Sequence, residues 1–280
     1  MKIWKITALT LVILLTLSIY GFSKDIHIVT TLDFLKDITQ EIGGDKIYVE
    51  SILTGLQNPH TYDAKPKDIV ALSKADLFIE IGGGLEGFVD KILKNVKRED
   101  LIVVKLIDGI PLIGKNPHIW LDPENGKIIA KKISNTLCKL VPEEKPFFEK
   151  NLSLYTKKID SIEKEIGAKL SKLEDKRVIS SLPTFVYFYR RFGFEEVGRI
   201  VELPGHEPSF RKIKKLIVLI KKEKIPFLVT NPFVNVKPVK VIKEETGIKE
   251  VALVPLLYKQ FKVYTYLDMI KYNGEAFFKK

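Results

Sequence analysis

The sequence predicts an α/β protein of two lobes, each a four-stranded, mainly parallel sheet flanked by helices, joined by one long helix. Short β-branched runs alternate with helical periodicity through the first half, and the same alternation repeats through the second. Between the halves a single apolar stripe at helical spacing continues from Leu152 to Leu173 without an internal proline.

The chain opens with Met1, Lys2 and Lys5 as a basic start, an apolar run from Ile6 to Tyr20, and Gly21-Phe22-Ser23. This reads as a secretory signal peptide over residues 1–23. The apolar run is shorter than the ~20 residues a membrane-spanning helix needs. No cysteine lies near the expected cleavage point, which excludes lipid attachment through an N-terminal cysteine. The mature protein is expected to be soluble outside the cytoplasm, in a periplasm. Losing Lys2 and Lys5 lowers the formal charge from +11 to +9. Export, and lysines that alternate with glutamates at pairing distance in "KKIDSIEKEIGAKLSKLEDK", argue against nucleic acid as a partner.

The single cysteine, Cys138, falls in the apolar pattern Ile129, Ile133, Leu137 and Leu140, so a buried small hydrophobe is expected and no internal disulfide can form. Stability must come from the cores. Abundant Lys and Glu with only three glutamines resemble thermophile usage.

In the first half, strands are expected at His27–Thr31, Ile47–Leu53, Asp76–Ile81 and Leu101–Ile107. In the second, they are expected at Arg177–Ser181, Glu195–Val201, Pro226–Thr230 and Glu250–Val254. The connecting stripe runs through Leu152, Tyr155, Ile159, Ile162, Ile166, Leu170 and Leu173, predicting a helix over Glu143–Glu174 of roughly 45–50 Å. The expected organisation is a signal peptide at 1–23, an N-terminal lobe at 24–142, the connecting helix at 143–174 and a C-terminal lobe at 175–280. A ligand is expected in the cleft between the lobes.

The tripeptide Asn-Pro-His occurs twice, ending at His60 and at His118, in a chain with four histidines. His60 precedes a helix with Pro66 in its first turn, and His118 precedes one with Asp122 as N-cap and Pro123 as first helical residue. Both histidines therefore sit on loops from a strand end to a helix start, the edge where open α/β sheets bind ligands. Each proline stiffens its loop and lowers the ordering cost of coordination. Two copies at matching places point to a shared metal, with His60 and His118 as its imidazole ligands. His27 reads as a strand residue. His206, in "ELPGHEPSF", fits either a cleft position on the second lobe or a surface loop.

"DLFIEIGGGLEGF" holds a literal G-x-G-x-x-G in Gly82, Gly84 and Gly87, with Asp108 ending the next strand. On pattern this is a dinucleotide fingerprint, which supplies the reading of an exported NAD-dependent oxidoreductase. Against it stand the motif's place after the third strand and Glu86, a carboxylate where a pyrophosphate would lie. A glycine-rich turn before a helix at Leu85–Leu93 is the expectation.

Taken together, "NPHTYDAKPKDIVALSKADLFIEIGGGLEGFVDKIL", "NPHIWLDPENGKIIAKKI" and "PGHEPSFRKIKKLIVLIKKEKI" resemble the motifs of the zinc- and manganese-binding proteins that feed ABC importers. The similarity runs from about Ile26 to Asn273. It implies two lobes on one long helix, a metal in the cleft, small lobe movements, and delivery of the cargo to a membrane permease with a cytoplasmic ATPase. His60 and His118 match that family's two first-lobe ligands. Its third ligand, a His or Glu, follows a Ser-Ser pair, where this chain has Leu182. Its fourth, an Asp near the C-terminus, aligns with Tyr264. Leucine cannot coordinate a metal, and a phenolate prefers harder ions than zinc.

The expected function is an extracytoplasmic receptor for a divalent transition metal of the zinc or manganese class, a monomer rather than an enzyme, that hands its cargo to an ABC importer permease. His206, Glu207, Tyr264, water or a small chelator stand open as completions of the coordination shell. A binding protein for an already chelated metal or an organic ligand is the alternative.

Overall fold

The computed structural model describes residues 26–55, 57–202, 207–232 and 236–279. The signal-peptide reading and His206 lie outside these residues. In the first lobe, β1 (Ile26–Thr30), β2 (Ile47–Ser51), β3 (Leu77–Glu80) and β4 (Ile102–Lys105) form a parallel sheet in the order β2-β1-β3-β4. Helices α1 (Asp33–Gly43), α2 (Pro66–Lys74) and α3 (Val89–Val96) connect the strands.

The second lobe repeats the plan. Strands β5 (Arg177–Ser180), β6 (Glu195–Arg199), β7 (Phe227–Thr230) and β8 (Lys249–Ala252) are parallel in the order β6-β5-β7-β8. Their connections carry α6 (Val186–Phe192), α7 (Phe210–Glu223) and α8 (Val236–Thr246). The inner strand β3 is buried at every position, its apolar run Leu77–Ile79 being what a two-sided parallel sheet requires, while the buried carboxylate of Glu80 at its end faces Lys105 Nζ at 3.7 Å. All eight strands fall where the periodicity put them, within a residue or two, and both sheets are wholly parallel.

Helix α4 (Pro123–Leu140) closes the first lobe, and α5 (Lys145–Leu170) links the two lobes. Helix α5 has 26 residues, shorter than the sequence expectation, and spans about 39 Å. Pro146 lacks the N–H of a helix interior and is tolerated only in the first turn, so the helix begins beside it and Pro142–Glu144 form a separate 3₁₀ turn. At the other end Lys172 N–H donates to Lys169 O and Leu173 N–H to Leu170 O, i→i+3 bonds that turn the chain out of the α-helix.

Helix α5 packs against α1 and α4 of the first lobe and against α9 (Tyr266–Glu275), the last helix of the chain. Gly274 permits that last contact, because a Cβ there would meet the Ile166 side chain at 2.2 Å. One apolar core therefore runs from β1 through α5 to Phe277, with a second, smaller core in the outer part of the second lobe. Trp120 stacks on Phe34 at 5.0 Å, and its Nε1 donates to Pro255 O at 2.7 Å. Tyr266 Oη donates to Trp120 O at 2.7 Å. Cys138, expected to be buried, is half-buried and packs against the main core from the flank of α4. Among the described residues no helix is long and apolar enough to cross a membrane.

Candidate metal centre

The loop from β2 to α2 carries His60, and the loop leaving β4 carries His118 just before α4. In a parallel sheet both strand ends open on the same edge, so residues 58 positions apart converge there. His60 Nε2 and His118 Nε2 stand 3.4 Å apart, with ring centroids at 5.3 Å. His118 also lies against Trp120, centroids 5.3 Å apart, which walls the ring off from solvent.

Each asparagine of the two tripeptides closes a turn. Asn58 Oδ1 accepts the His60 backbone N–H at 3.0 Å, and Asn116 Oδ1 accepts that of His118 at 3.0 Å. Asn116 does more: the same oxygen accepts from His118 Nδ1 at 2.9 Å. Asparagine bonding two residues ahead is a known turn chemistry, so this role was available to sequence reasoning, which credited only the proline.

Burial pushes the His118 imidazolium down to about 3, with the neighbouring His60 a smaller contribution in the same direction. Partial burial lowers His60 as well. Two neutral imidazoles thus face each other through ring nitrogens, an arrangement suited to a shared cation. Two nitrogens held at about 2.05 Å from a zinc ion at a tetrahedral angle stand about 3.35 Å apart. The observed 3.4 Å matches that span.

Among the described residues no group of three His, Cys, Asp or Glu side chains converges to hold a metal. Leu182 follows β5 in extended conformation, and its half-buried side chain packs on the second core. Tyr264 is 57% exposed and lines a separate cavity of about 750 Å³ with Asp33, Asp37 and Glu50, whose walls include neither histidine. Glu207 is exposed at the edge of the segment whose neighbour, His206, lies outside the described residues. His27 Nε2 is engaged by Glu50 Oε1 at 2.9 Å on the sheet. Asp122 caps α4 by accepting Glu124 N–H at 3.0 Å, and its other oxygen accepts from Arg190 of α6 at 3.1 Å.

The glycine motif makes a turn with Gly82, Gly83 and Gly84 all at positive φ. Glu86 folds back into it: Oε1 accepts from Ile81 N at 2.9 Å and Thr31 Oγ1 at 2.8 Å, and Oε2 accepts from Gly82 N at 3.0 Å. The donors that would cradle a pyrophosphate already hold a carboxylate of the chain itself. The helix after it, α3, starts at Val89 rather than Leu85 because this glycine turn takes up the intervening residues.

Residues 28–279 match the profile of the family described as zinc-uptake complex component A, periplasmic. The manganese ABC transporter substrate-binding lipoprotein PsaA of Streptococcus mitis is 33% identical over 270 residues, covering 89% of this chain and 87% of the relative. The metal ABC transporter substrate-binding lipoprotein FimA of Streptococcus parasanguinis is 32% identical over 273 residues, covering 90% and 88%. A solved structure of ZnuA superposes with a TM-score of 0.80 at 25% identity, covering 91% of this chain and 98% of that one. The manganese-bound periplasmic metal-binding protein of Candidatus Liberibacter asiaticus shares the fold with a TM-score of 0.81 at 24% identity over the same shares.

Proposed function

This chain belongs to the family of periplasmic zinc-uptake component A proteins, and we propose that it is an extracytoplasmic receptor that binds a transition metal of the zinc or manganese class and delivers it to an ABC importer permease. His60 and His118 grip the metal through their Nε2 atoms. The carrying observation is their 3.4 Å separation, the span two imidazoles take across one ion. The protein binds and releases its cargo without catalysing a reaction, and it works as a monomer independent of nucleic acid. The shared core through α5 and α9 favours small lobe movements over wide hinge closure.

Titration calorimetry with zinc and manganese, using His60→Ala and His118→Ala, tests this reading. Each substitution is expected to weaken binding by on the order of a hundredfold or more. Unchanged affinity in both variants would place the site elsewhere.

A second reading follows from the second lobe, where Leu182 offers no donor atom. The two histidines then hold an ion whose remaining positions are filled by a small chelator carried with it. Mass spectrometry of the protein isolated without added metal separates a bare ion from a chelate.

A further inference from the structure

We propose that Asn116 is a positioning residue that couples metal binding at His118 to the second lobe. The inference rests on His118 being a metal ligand, as argued above. Among the described residues, Asn116 is the one side chain of the two Asn-Pro-His motifs that bonds to the second lobe: its Nδ2 donates to Pro183 O at 2.5 Å, immediately after Leu182. Asn58 makes no such bond among those residues, serving only the His60 backbone.

The orientation of the Asn116 amide is fixed at both ends. A backbone carbonyl can only accept, so Nδ2 must face Pro183, and a backbone N–H can only donate, so Oδ1 must face His118 N. The ring nitrogen bonded to the same Oδ1 must then carry a proton. His118 is therefore held as the Nδ1–H tautomer, with the Nε2 lone pair turned toward His60. A peptide carbonyl of the second lobe thus helps to select the metal-competent form of a histidine in the first.

The coupling runs in both directions. A cation on Nε2 withdraws electrons from the ring and strengthens the Nδ1–H bond to Oδ1. That bond polarises the amide and strengthens Nδ2–H toward Pro183 O, the cooperativity of a hydrogen-bonded chain. Metal binding accordingly tightens one specific tie between the lobes. A parallel tie, Tyr187 Oη donating to Asn116 O at 2.8 Å, uses the backbone of Asn116 and bypasses the imidazole.

The test uses zinc as the probe on the mature full-length chain, with calorimetry for affinity and amide hydrogen exchange over residues 184–192. In the parent, zinc slows exchange in that segment. Asn116→Ala is expected to lose 10–100-fold in zinc affinity and the zinc-dependent protection. Asn116→Asp keeps an acceptor for His118 but presents no donor to Pro183, so affinity stays within about tenfold of the parent while the protection is lost. Tyr187→Phe removes the parallel tie and keeps the zinc-dependent gain. Retained protection in Asn116→Asp, or equal loss in Tyr187→Phe, overturns the coupling while leaving the receptor reading intact. If His118→Ala binds zinc as tightly as the parent, both fall.

Discussion

Asp37 on α1 accepts a hydrogen bond from the Tyr266 backbone N–H at 2.8 Å, joining residues 229 positions apart and fastening the first turn of α9 to the first lobe. Burial raises the Asp37 carboxyl to about 6, with Glu41, Asp268 and Asp33 adding repulsion. Asp33, one turn earlier, is raised to about 6 by the same burial.

A raised carboxyl binds its proton more tightly in the folded chain than in the unfolded one. Its stabilising effect is present below about pH 4 and is lost as pH rises through 6. Asp37→Asn keeps an acceptor for Tyr266 and removes the charge. It is expected to stabilise the protein above pH 6 by on the order of 2 kcal/mol and to match the parent below pH 4. Urea unfolding at pH 8 and pH 4 reads both limits, and an equal effect at the two would refute the burial argument.

The histidine pair titrates the other way. With His118 held at about 3, its ring stays neutral well below the usual histidine range, and partial burial shifts His60 in the same direction. Two ordinary histidines would lose about 100-fold in zinc affinity between pH 7.5 and 5.5 as protons compete for the nitrogens. Here the loss is expected to stay under about tenfold, which calorimetry in a non-coordinating buffer measures. In the metal-free protein, the neutral burial of His118 stabilises above pH 6.5 and is lost as pH falls toward 3.

Leu182 stands next to Pro183, whose carbonyl is fixed by Asn116 beside His118. Leu182→His would add a third imidazole at that edge. Zinc affinity is expected to rise by at least about tenfold, since one further inner ligand contributes more than ~1.4 kcal/mol. No gain in calorimetric affinity would mean that this segment faces away from the ion.

At the junction of α5 and α9, Gly274→Ala is expected to destabilise despite the better helix propensity of alanine. The added Cβ would lie 2.2 Å from Ile166, and overpacking of this kind costs about 1–3 kcal/mol against a propensity gain of about 1. A thermal melt showing an unchanged or higher midpoint would contradict the packing described here.

Much of this was legible in the sequence. The eight strands, the doubled β/α plan and the placement of His60 and His118 on strand-end loops follow from periodicity, proline positions and turn chemistry, all of which act between near neighbours. So does the cap at Asp122. The glycine run showed the limit of that reading: G-x-G-x-x-G specifies a backbone turn, but the ligand of the turn proved to be Glu86.

Tertiary structure decided what depends on distant partners. The 3.4 Å between the histidines, the bond from Asn116 to Pro183 and the burial of Asp37 under α9 each join segments 58 to 229 residues apart. Local sequence sets which conformations a segment can adopt. Proton affinity, tautomer and metal bite are set by the groups that packing brings within a few ångströms, and packing is a property of the whole chain.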